Sequence, residues 1–569
     1  MVGEDESFEL EGGGSLSPVQ VAYETYGELN ADKSNAIYIC HALTGNAHVA
    51  GYHDANDEKT QGWWEEFVGP GKSIDTNKYY VICSNFLGGC SGTTGATSIN
   101  PKTGKPYGLT FPVITIKDQV KVQKMLLDKL GIERLVAVIG GSMGGMNAMT
   151  LAIDYPDLSA SALLIATTPR LSPQSIAFDA VGRNAIKNDK NFNNGNYSDS
   201  TGPDNGLSIA RMIGHITYLS DEGMREKFGR ELREADSYSY NFNSEFSVET
   251  YLDHQGGEFV ERFDANCYLY ITKAMDYFDL ELEHGSLEEA FAKSNSRFFI
   301  ASFSTDWLFT PEQSREMVDA LTALGKDVTY CNIESHHGHD AFILEPETLG
   351  PMIRDYLNAT SKLISGGEMF CEHESSRLDH NIILKDFVKN GSKVLDLGCG
   401  KGELMERLRA CNNCIVMGFD KDISAVSKCV EKGLPAINAD MEKNLGRFRD
   451  GQFDYVVLSK TLQATGKPKE LLEEIVRVGK KAVVSFPNFG HIKCRLQLLY
   501  TGRAPITKEL PHQWYDSPNI HFLSMSDFEK LCAEIGIRIE KKVVPGRAGR
   551  FKALTNLFGS EAIYLLSKG

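Results

Sequence analysis

The 569-residue chain has no apolar run of membrane-spanning length and no charged-then-apolar opening segment, so neither a membrane span nor a secretory leader is expected. It also has no basic surplus. With 59 Lys and Arg against 76 Asp and Glu, the net charge of −17 argues against wide contact with nucleic acid. Twelve cysteines are scattered without a disulfide-like framework, as expected of reduced thiols in a cytoplasmic protein. Cys411-Asn412-Asn413-Cys414 is an isolated pair without the partners of a zinc or redox site, and reads as a core or surface pair. No HExxH stretch or Cys/His pairing accompanies the histidines at 336, 337 and 339, so no metal is expected. What remains is a chain of ordinary apolar fraction, 42%, long enough for more than one globular core.

The most informative stretch is Val136-Ala137-Val138-Ile139-Gly140-Gly141-Ser142-Met143-Gly144-Gly145, an apolar strand running into Gly-x-Ser-x-Gly and a helix-forming segment. A tight strand-to-helix turn leaves no room for a Cβ at Gly140 or Gly144 and holds the serine in strained geometry. Ser142 is therefore the candidate nucleophile. The amide of Met143, at a helix N-terminus, is a candidate oxyanion-hole donor.

Two later segments complete the pattern. Phe298 to Phe303 reads as a strand followed by Ser304-Thr305-Asp306-Trp307-Leu308-Phe309, and Val328 to Ile333 as a strand followed by His336-His337-Gly338-His339-Asp340. The order Ser142, Asp306, His339 is that of the α/β-hydrolase triad, with His339 as base and Asp306 as its orienting acid. The loop after the strand Ala36–Cys40 is where this fold places its second oxyanion amide, which we assign to Leu43. His41 in the same loop reads as structural, because Ser142 uses one base at a time.

Residues 15 to about 360 resemble homoserine O-acyltransferases of the α/β-hydrolase type. The match runs through His41-Ala42-Leu43-Thr44-Gly45, Gly62-Trp63-Trp64, Val68-Gly69-Pro70-Gly71, Ser84-Asn85-Phe86-Leu87-Gly88-Gly89-Cys90, Gly140 to Met146, Ala210 to Tyr218, and Gly338 to Phe342. The resemblance implies that Arg211 and Asp340 hold the carboxylate and amino group of homoserine, which suits a guanidinium fork and an anion. It implies a ping-pong reaction, in which an acyl-CoA loads Ser142 and homoserine takes the acyl group. Succinyl-using relatives are expected to carry an arginine where this chain has Leu308, and leucine where it has Met143. Acetyl-CoA is therefore the expected donor. Succinyl-CoA is the alternative, since Gly214 to Ser220 and Lys227 to Arg230 look close to relatives that use it. A carboxylesterase, and a scaffold with an inactive second half, are the other readings to be separated.

A new α/β pattern begins near His380. Lys393-Val394-Leu395-Asp396-Leu397-Gly398-Cys399-Gly400-Lys401-Gly402 resembles motif I of class I methyltransferases, whose glycine loop admits S-adenosylmethionine. Asp420 ends the next strand, where nucleotide-binding sheets place the acid for a ribose diol, and Asp440 is placed to contact the adenine. Ser485 to His491, Cys494 to Leu499, Gln513 to Asp516 and Pro518 to His521 resemble the MetW-type methionine biosynthesis protein over about 370 to 565. The candidate cofactor residues are thus Asp396, Gly398, Gly400, Asp420 and Asp440. Methyl transfer does not follow, since no Asn/Asp-Pro-Pro-Tyr signature and no obvious base is present.

The expected class is α/β: an α/β-hydrolase fold with a helical lid, then a Rossmann-like class I methyltransferase domain. The expected boundaries are a disordered lead-in over 1–14, the acyltransferase domain over 15–360 with its lid at about 170–295, a linker over 361–379, and the second domain over 380–569. The lid is a candidate dimer surface. Fusion raises the effective concentration of two modules, so the second domain is expected to support or regulate the first.

Overall fold

The computed structural model describes residues 7–198, 201–233, 237–366, 377–545 and 554–569. Its contacts divide the chain into two compact units, Met1–Lys326 with Asn332–Ser365, and Asp327–Cys331 with Gly366–Gly569.

The first unit is built on a sheet whose strands run in the order Arg297–Phe303, Ser161–Ile165, Ala137–Gly141, Ala36–Cys40, Tyr80–Ser84, Tyr23–Tyr26. All neighbours are parallel except the last pair, which is antiparallel. Ala36–Cys40, Ala137–Gly141 and Ser161–Ile165 are buried at every position. That is why they read as continuous apolar runs rather than alternating ones. Asn332 and Ile333 fasten the next strand to this sheet, accepting hydrogen bonds from the Ser302 hydroxyl and the Ser304 amide. The helix Ile116–Leu130 covers one face, bounded by a capping box from Thr115 and Asp118 and by left-handed Gly131 (φ 68°).

Between Ser161–Ile165 and Arg297–Phe303 the chain forms the helices Pro173–Asn188, Asp204–Tyr218, Asp221–Phe228, Ser247–Arg262 and Ala265–Asp276, with two shorter ones after them. This is the helical insertion expected at 170–295.

In the second unit the order is Ile537–Val543, Glu561–Lys568, Gly479–Pro487, Phe453–Ser459, Lys393–Leu397, Ile415–Asp420, Ala436–Asn438. The strands from Gly479–Pro487 onward are parallel, and Glu561–Lys568 is antiparallel to both its neighbours.

Two expectations need correction. Of the lead-in expected to be disordered over 1–14, residues 1–6 lie outside the described residues, but Phe8–Glu9 pairs antiparallel with Ser15–Leu16. Phe8 and Leu10 are buried, the Glu11 amide donates to Asp118, and Gly13 and Gly14 (φ 89° and 86°) make the turn. The glycine run is a hairpin turn, not a flexible tail. The linker expected at 361–379 starts later, because the helix Pro346–Ile364 continues past residue 360, and 367–376 lie outside the described residues. Ten cysteines, Cys414 among them, are free.

Asp379 lies at the heart of a buried ionic network in the second unit. Its carboxylate accepts from Arg377 Nη2 (2.9 Å) and the Ser459 hydroxyl (2.8 Å), with Lys460 Nζ at 3.6 Å. Burial opposes its charge, but the bond to Arg377 and the charge of Lys460 prevail and bring its pKa down to about 2. A lowered folded-state pKa contributes stability above the unfolded carboxylate pKa, lost as pH falls toward 2. Asp379→Asn is therefore expected to cost about 2 kcal/mol at neutral pH, since the amide gives up the charge-assisted bond from Arg377 and the attraction of Lys460, which keeps Glu561 as a partner. The wild-type advantage in chemical denaturation should shrink between pH 5 and pH 2; an advantage that did not change would show that Asp379 carries no charge.

Candidate active site

Ser142 stands between the strand Ala137–Gly141 and the helix Met143–Asp154 at φ 57°, ψ −127°, a conformation costly for any residue with a side chain. The surroundings hold it there. Its amide donates to the Ile165 carbonyl (3.0 Å), and its carbonyl accepts from the Gly145 amide (2.9 Å) and the Thr167 hydroxyl (2.8 Å). A Cβ at Gly140 would lie 2.0 Å from the Gly144 carbonyl oxygen, and one at Gly144 would lie 2.1 Å from that of Cys40. Both glycines are thus required by backbone packing.

The three triad candidates converge. His339 Nε2 lies 2.9 Å from Ser142 Oγ, and His339 Nδ1 lies 2.8 Å from Asp306 Oδ2. The other oxygen, Asp306 Oδ1, accepts from the amides of Leu308 (3.0 Å) and Phe309 (2.9 Å), which aims the carboxylate. Ser142, Asp306 and His339 are 7%, 2% and 2% exposed. Burial works against the imidazolium, but the Asp306 charge and hydrogen bond outweigh it, and the His339 pKa lies above its ordinary value. Gly338 (φ 64°) delivers His339, and a Cβ there would meet the Tyr218 carbonyl at 2.6 Å.

Among the described residues, the amides of Leu43 and Met143 have no protein acceptor, and Met143 opens the helix after Ser142. His41 is neutral and structural: its Nδ1 bonds the Ala42 carbonyl, its Nε2 accepts from the Phe86 amide, and burial lowers its pKa to about 4. A cavity of about 40 Å³ is lined by Leu43, Ser142, Phe178, Tyr218, Leu308 and Phe309. Leu308 thus shares a cavity with the nucleophile, and the arrangement suits acyl transfer through a small pocket of mainly apolar side chains that also includes Asp179, Ser175 and Thr217.

Arg211 lies on the other side of the Leu43 loop, in a cavity of about 510 Å³ that it lines with Thr44, Trp63 and Arg262. It donates to the Thr44 hydroxyl (3.2 Å), its guanidinium lies 4.9 Å from the Phe259 ring and 5.8 Å from the Tyr218 ring, and its Nε is buried without a partner. Among the described residues, no carboxylate pairs with it. Asp340 lies within reach of the charges of His339 and Arg211; burial raises its pKa and those charges only partly offset the rise. Tyr218 bridges the two sides, its ring 5.7 Å from that of His339. Sequence reasoning missed Arg262, whose Nη1 donates to the Thr44 carbonyl (3.0 Å) and which shares the Phe259 ring with Arg211. Its i,i+3 spacing from Phe259 on one helix is the only local sign of it.

In the second unit Gly398, Gly400 and Gly402 have φ of 68°, 52° and 72°, and the Gly400 amide donates to Asp420 Oδ2 (2.9 Å). A Cβ at Gly400 would meet nothing within 4 Å, so this loop leaves open space for a ligand. Asp396 is buried and its pKa is raised to about 7 by that burial. Asp440 caps the short helix Met441–Asn444, accepting from the Glu442 amide. Asp440 is engaged as a cap and Asp420 accepts from the Gly400 and Asp422 amides, so the open space lies beside Gly400 at the end of the strand that carries Asp420.

Residues 35–346 match the alpha/beta hydrolase fold family and residues 377–566 the family of methionine biosynthesis protein MetW. A bifunctional methionine biosynthesis protein MetXA/MetW of Rhodopirellula baltica is 42% identical over 95% of this chain and 88% of its own. A homoserine O-acetyltransferase of Methanohalobium evestigatum is 54% identical over 62% of this chain and 72% of its own. A homoserine O-succinyltransferase of Magnetococcus marinus is 50% identical over 65% of this chain and 95% of its own.

Proposed function

We infer from its membership of the bifunctional MetXA/MetW family, an α/β-hydrolase unit joined to a MetW unit, that this chain acylates homoserine in methionine biosynthesis. It is an acyltransferase, a homoserine O-acetyltransferase. The observation that supports the mechanism is the continuous chain of hydrogen bonds from Asp306 through His339 to Ser142 beside two free amides.

The reaction proceeds by ping-pong. His339 takes the Ser142 proton as Oγ attacks the thioester of acetyl-CoA, the amides of Leu43 and Met143 hold the oxyanion, and CoA leaves with the proton from His339. Homoserine then binds with its carboxylate on Arg211 and its ammonium on Asp340. His339 deprotonates its hydroxyl, which attacks the acyl-enzyme, and product leaves as Ser142 regains its proton. Ordering the hydroxyl at this position favours it over water. The enzyme works in the cytoplasm, and its lid helices are the proposed dimer surface.

The donor reading rests on Leu308. A succinyl carboxylate in the Ser142 cavity would need a cation, and none of the residues lining it is a lysine or arginine. Assays of the full chain with homoserine and either donor test this; preference for succinyl-CoA would overturn it. Leu308→Arg should raise the succinyl-to-acetyl ratio of kcat/KM by roughly tenfold or more, the worth of one charge-assisted pair. An unchanged ratio would mean that residue 308 does not face the acyl tail.

The second unit is proposed to bind S-adenosylmethionine at Gly398, Gly400 and Asp420 and to adjust the acyltransferase. When bound, that group supplies a nucleoside for Asp420 and an activated methyl. Titration calorimetry of the full chain and of Asp420→Ala should show binding lost in the variant; equal heats would remove this assignment.

A further inference from the structure

Glu24, His48 and His53 meet in the first unit, with one ligand atom from each lying within 4.8 Å of the others. Glu24 comes from the edge strand Tyr23–Tyr26, and both histidines come from the segment between Thr44 and Trp63. Glu24 Oε2 lies 2.9 Å from His48 Nδ1, and Glu24 Oε1 lies 3.1 Å from His53 Nε2. The imidazole rings lie 3.6 Å apart.

The tautomer of His48 is decisive. Its Nε2 lies 2.9 Å from the Thr60 carbonyl, which only accepts, so Nε2 carries the hydrogen. In the neutral ring Nδ1 then has a lone pair, and it faces a carboxylate oxygen at 2.9 Å. Two lone pairs do not approach so closely unless a cation lies with them. A histidine whose far N–H is held by a carbonyl, with its near nitrogen turned to a carboxylate and a second imidazole, has the outer-shell support of a metal ligand. The Tyr26 hydroxyl donates to Glu24 Oε2 at 2.7 Å and fixes the carboxylate in the same way. Ligand edges around a tetrahedral zinc ion with bonds of about 2.0–2.1 Å are about 3.3 Å long. The observed 2.9 and 3.1 Å separations need only a small expansion to admit it.

We propose that Glu24, His48 and His53 form a binding site for a divalent transition-metal ion, zinc by the softness and number of its donors. Side-chain exposure rises from 10% at His48 through 32% at Glu24 to 62% at His53, so the ion enters from the His53 side and keeps an open position there. Neighbouring charges leave the three donors available: Lys59 pairs with Glu258, and Glu65 with Lys72. His48 and His53 line the same cavity as Arg211 and Thr44. An ion at this position ties the segment between Thr44 and Trp63 to the sheet edge and sets the shape of that cavity.

The rival occupant is a proton, which would make His48 an imidazolium. Chelator-treated full-length chain, titrated with Co²⁺ as a spectroscopic substitute and with Zn²⁺ in competition, separates the two. We expect one equivalent of cobalt per chain with the ligand-field absorption of a four- or five-coordinate site, displaced by zinc. His53→Ala, at an exposed position, should lose that absorption and bind at least tenfold more weakly. His284→Ala, in the separate group formed with Asp154 and Glu283, should retain it. Wild-type chain that gives no such absorption, or a His53→Ala chain that matches the wild type, would overturn the proposal.

Discussion

Ser142→Ala is expected to lower kcat for O-acylhomoserine formation on the order of 10³-fold or more, with the fold retained. Alanine keeps the Cβ and backbone contacts of residue 142 while removing the oxygen 2.9 Å from His339 Nε2. Among the described residues, no other hydroxyl is hydrogen-bonded to His339 Nε2. The measurement is a single-turnover assay by mass spectrometry, which also reads the acyl-enzyme: wild-type chain mixed with acetyl-CoA alone should gain an acetyl group at Ser142, and the variant should not. Near wild-type activity in the variant would remove the assignment of the nucleophile, and with it the ping-pong scheme.

Asp306→Asn should cost about 10⁴-fold in kcat, the loss expected when the orienting acid of such a triad becomes an amide. Asp306 Oδ1 is occupied by the Leu308 and Phe309 amides, so asparagine places its oxygen there and turns its NH₂ toward His339 Nδ1. The imidazole then adopts the wrong tautomer, with its Nε2 protonated and unable to accept from Ser142. The pH profile carries a second signature. His339 must be neutral to act as base, and the Asp306 charge holds its pKa above the ordinary value, so wild-type kcat/KM falls as pH drops through that raised pKa. With that charge removed, burial is opposed only by the smaller pull of Asp340, and the acid limb of the residual activity should move to lower pH. An unmoved limb would mean that another group titrates there.

The convergence of Ser142, Asp306 and His339 was legible from sequence because each sits at the end of a strand that the chain announces locally. Gly140-Gly141-Ser142-Met143-Gly144 carries its own steric requirement, and Asp306 and His339 follow apolar runs in the expected order. Leu43 was placed by the same logic, from the strand Ala36–Cys40. Residues brought together without a local pattern were not legible. Glu24 and His48 lie on a sheet edge and a long loop, with nothing in the intervening residues to relate them. Arg377, Asp379, Ser459 and Lys460 assemble from two parts of the chain 80 residues apart. Residues 8 to 16 misled in the opposite direction, because a glycine run that closes a hairpin has the composition of a tail.

The backbone of Ser142 has a further consequence, for the way such a chain drifts under mutation. At φ 57°, ψ −127° the residue least strained is glycine, and glycine cannot attack a thioester. The change that would relax the fold most at this position is therefore one that silences it. A lineage selected for robustness alone would move toward the inactive sequence, so any search for hardier variants must hold residue 142 fixed and look elsewhere.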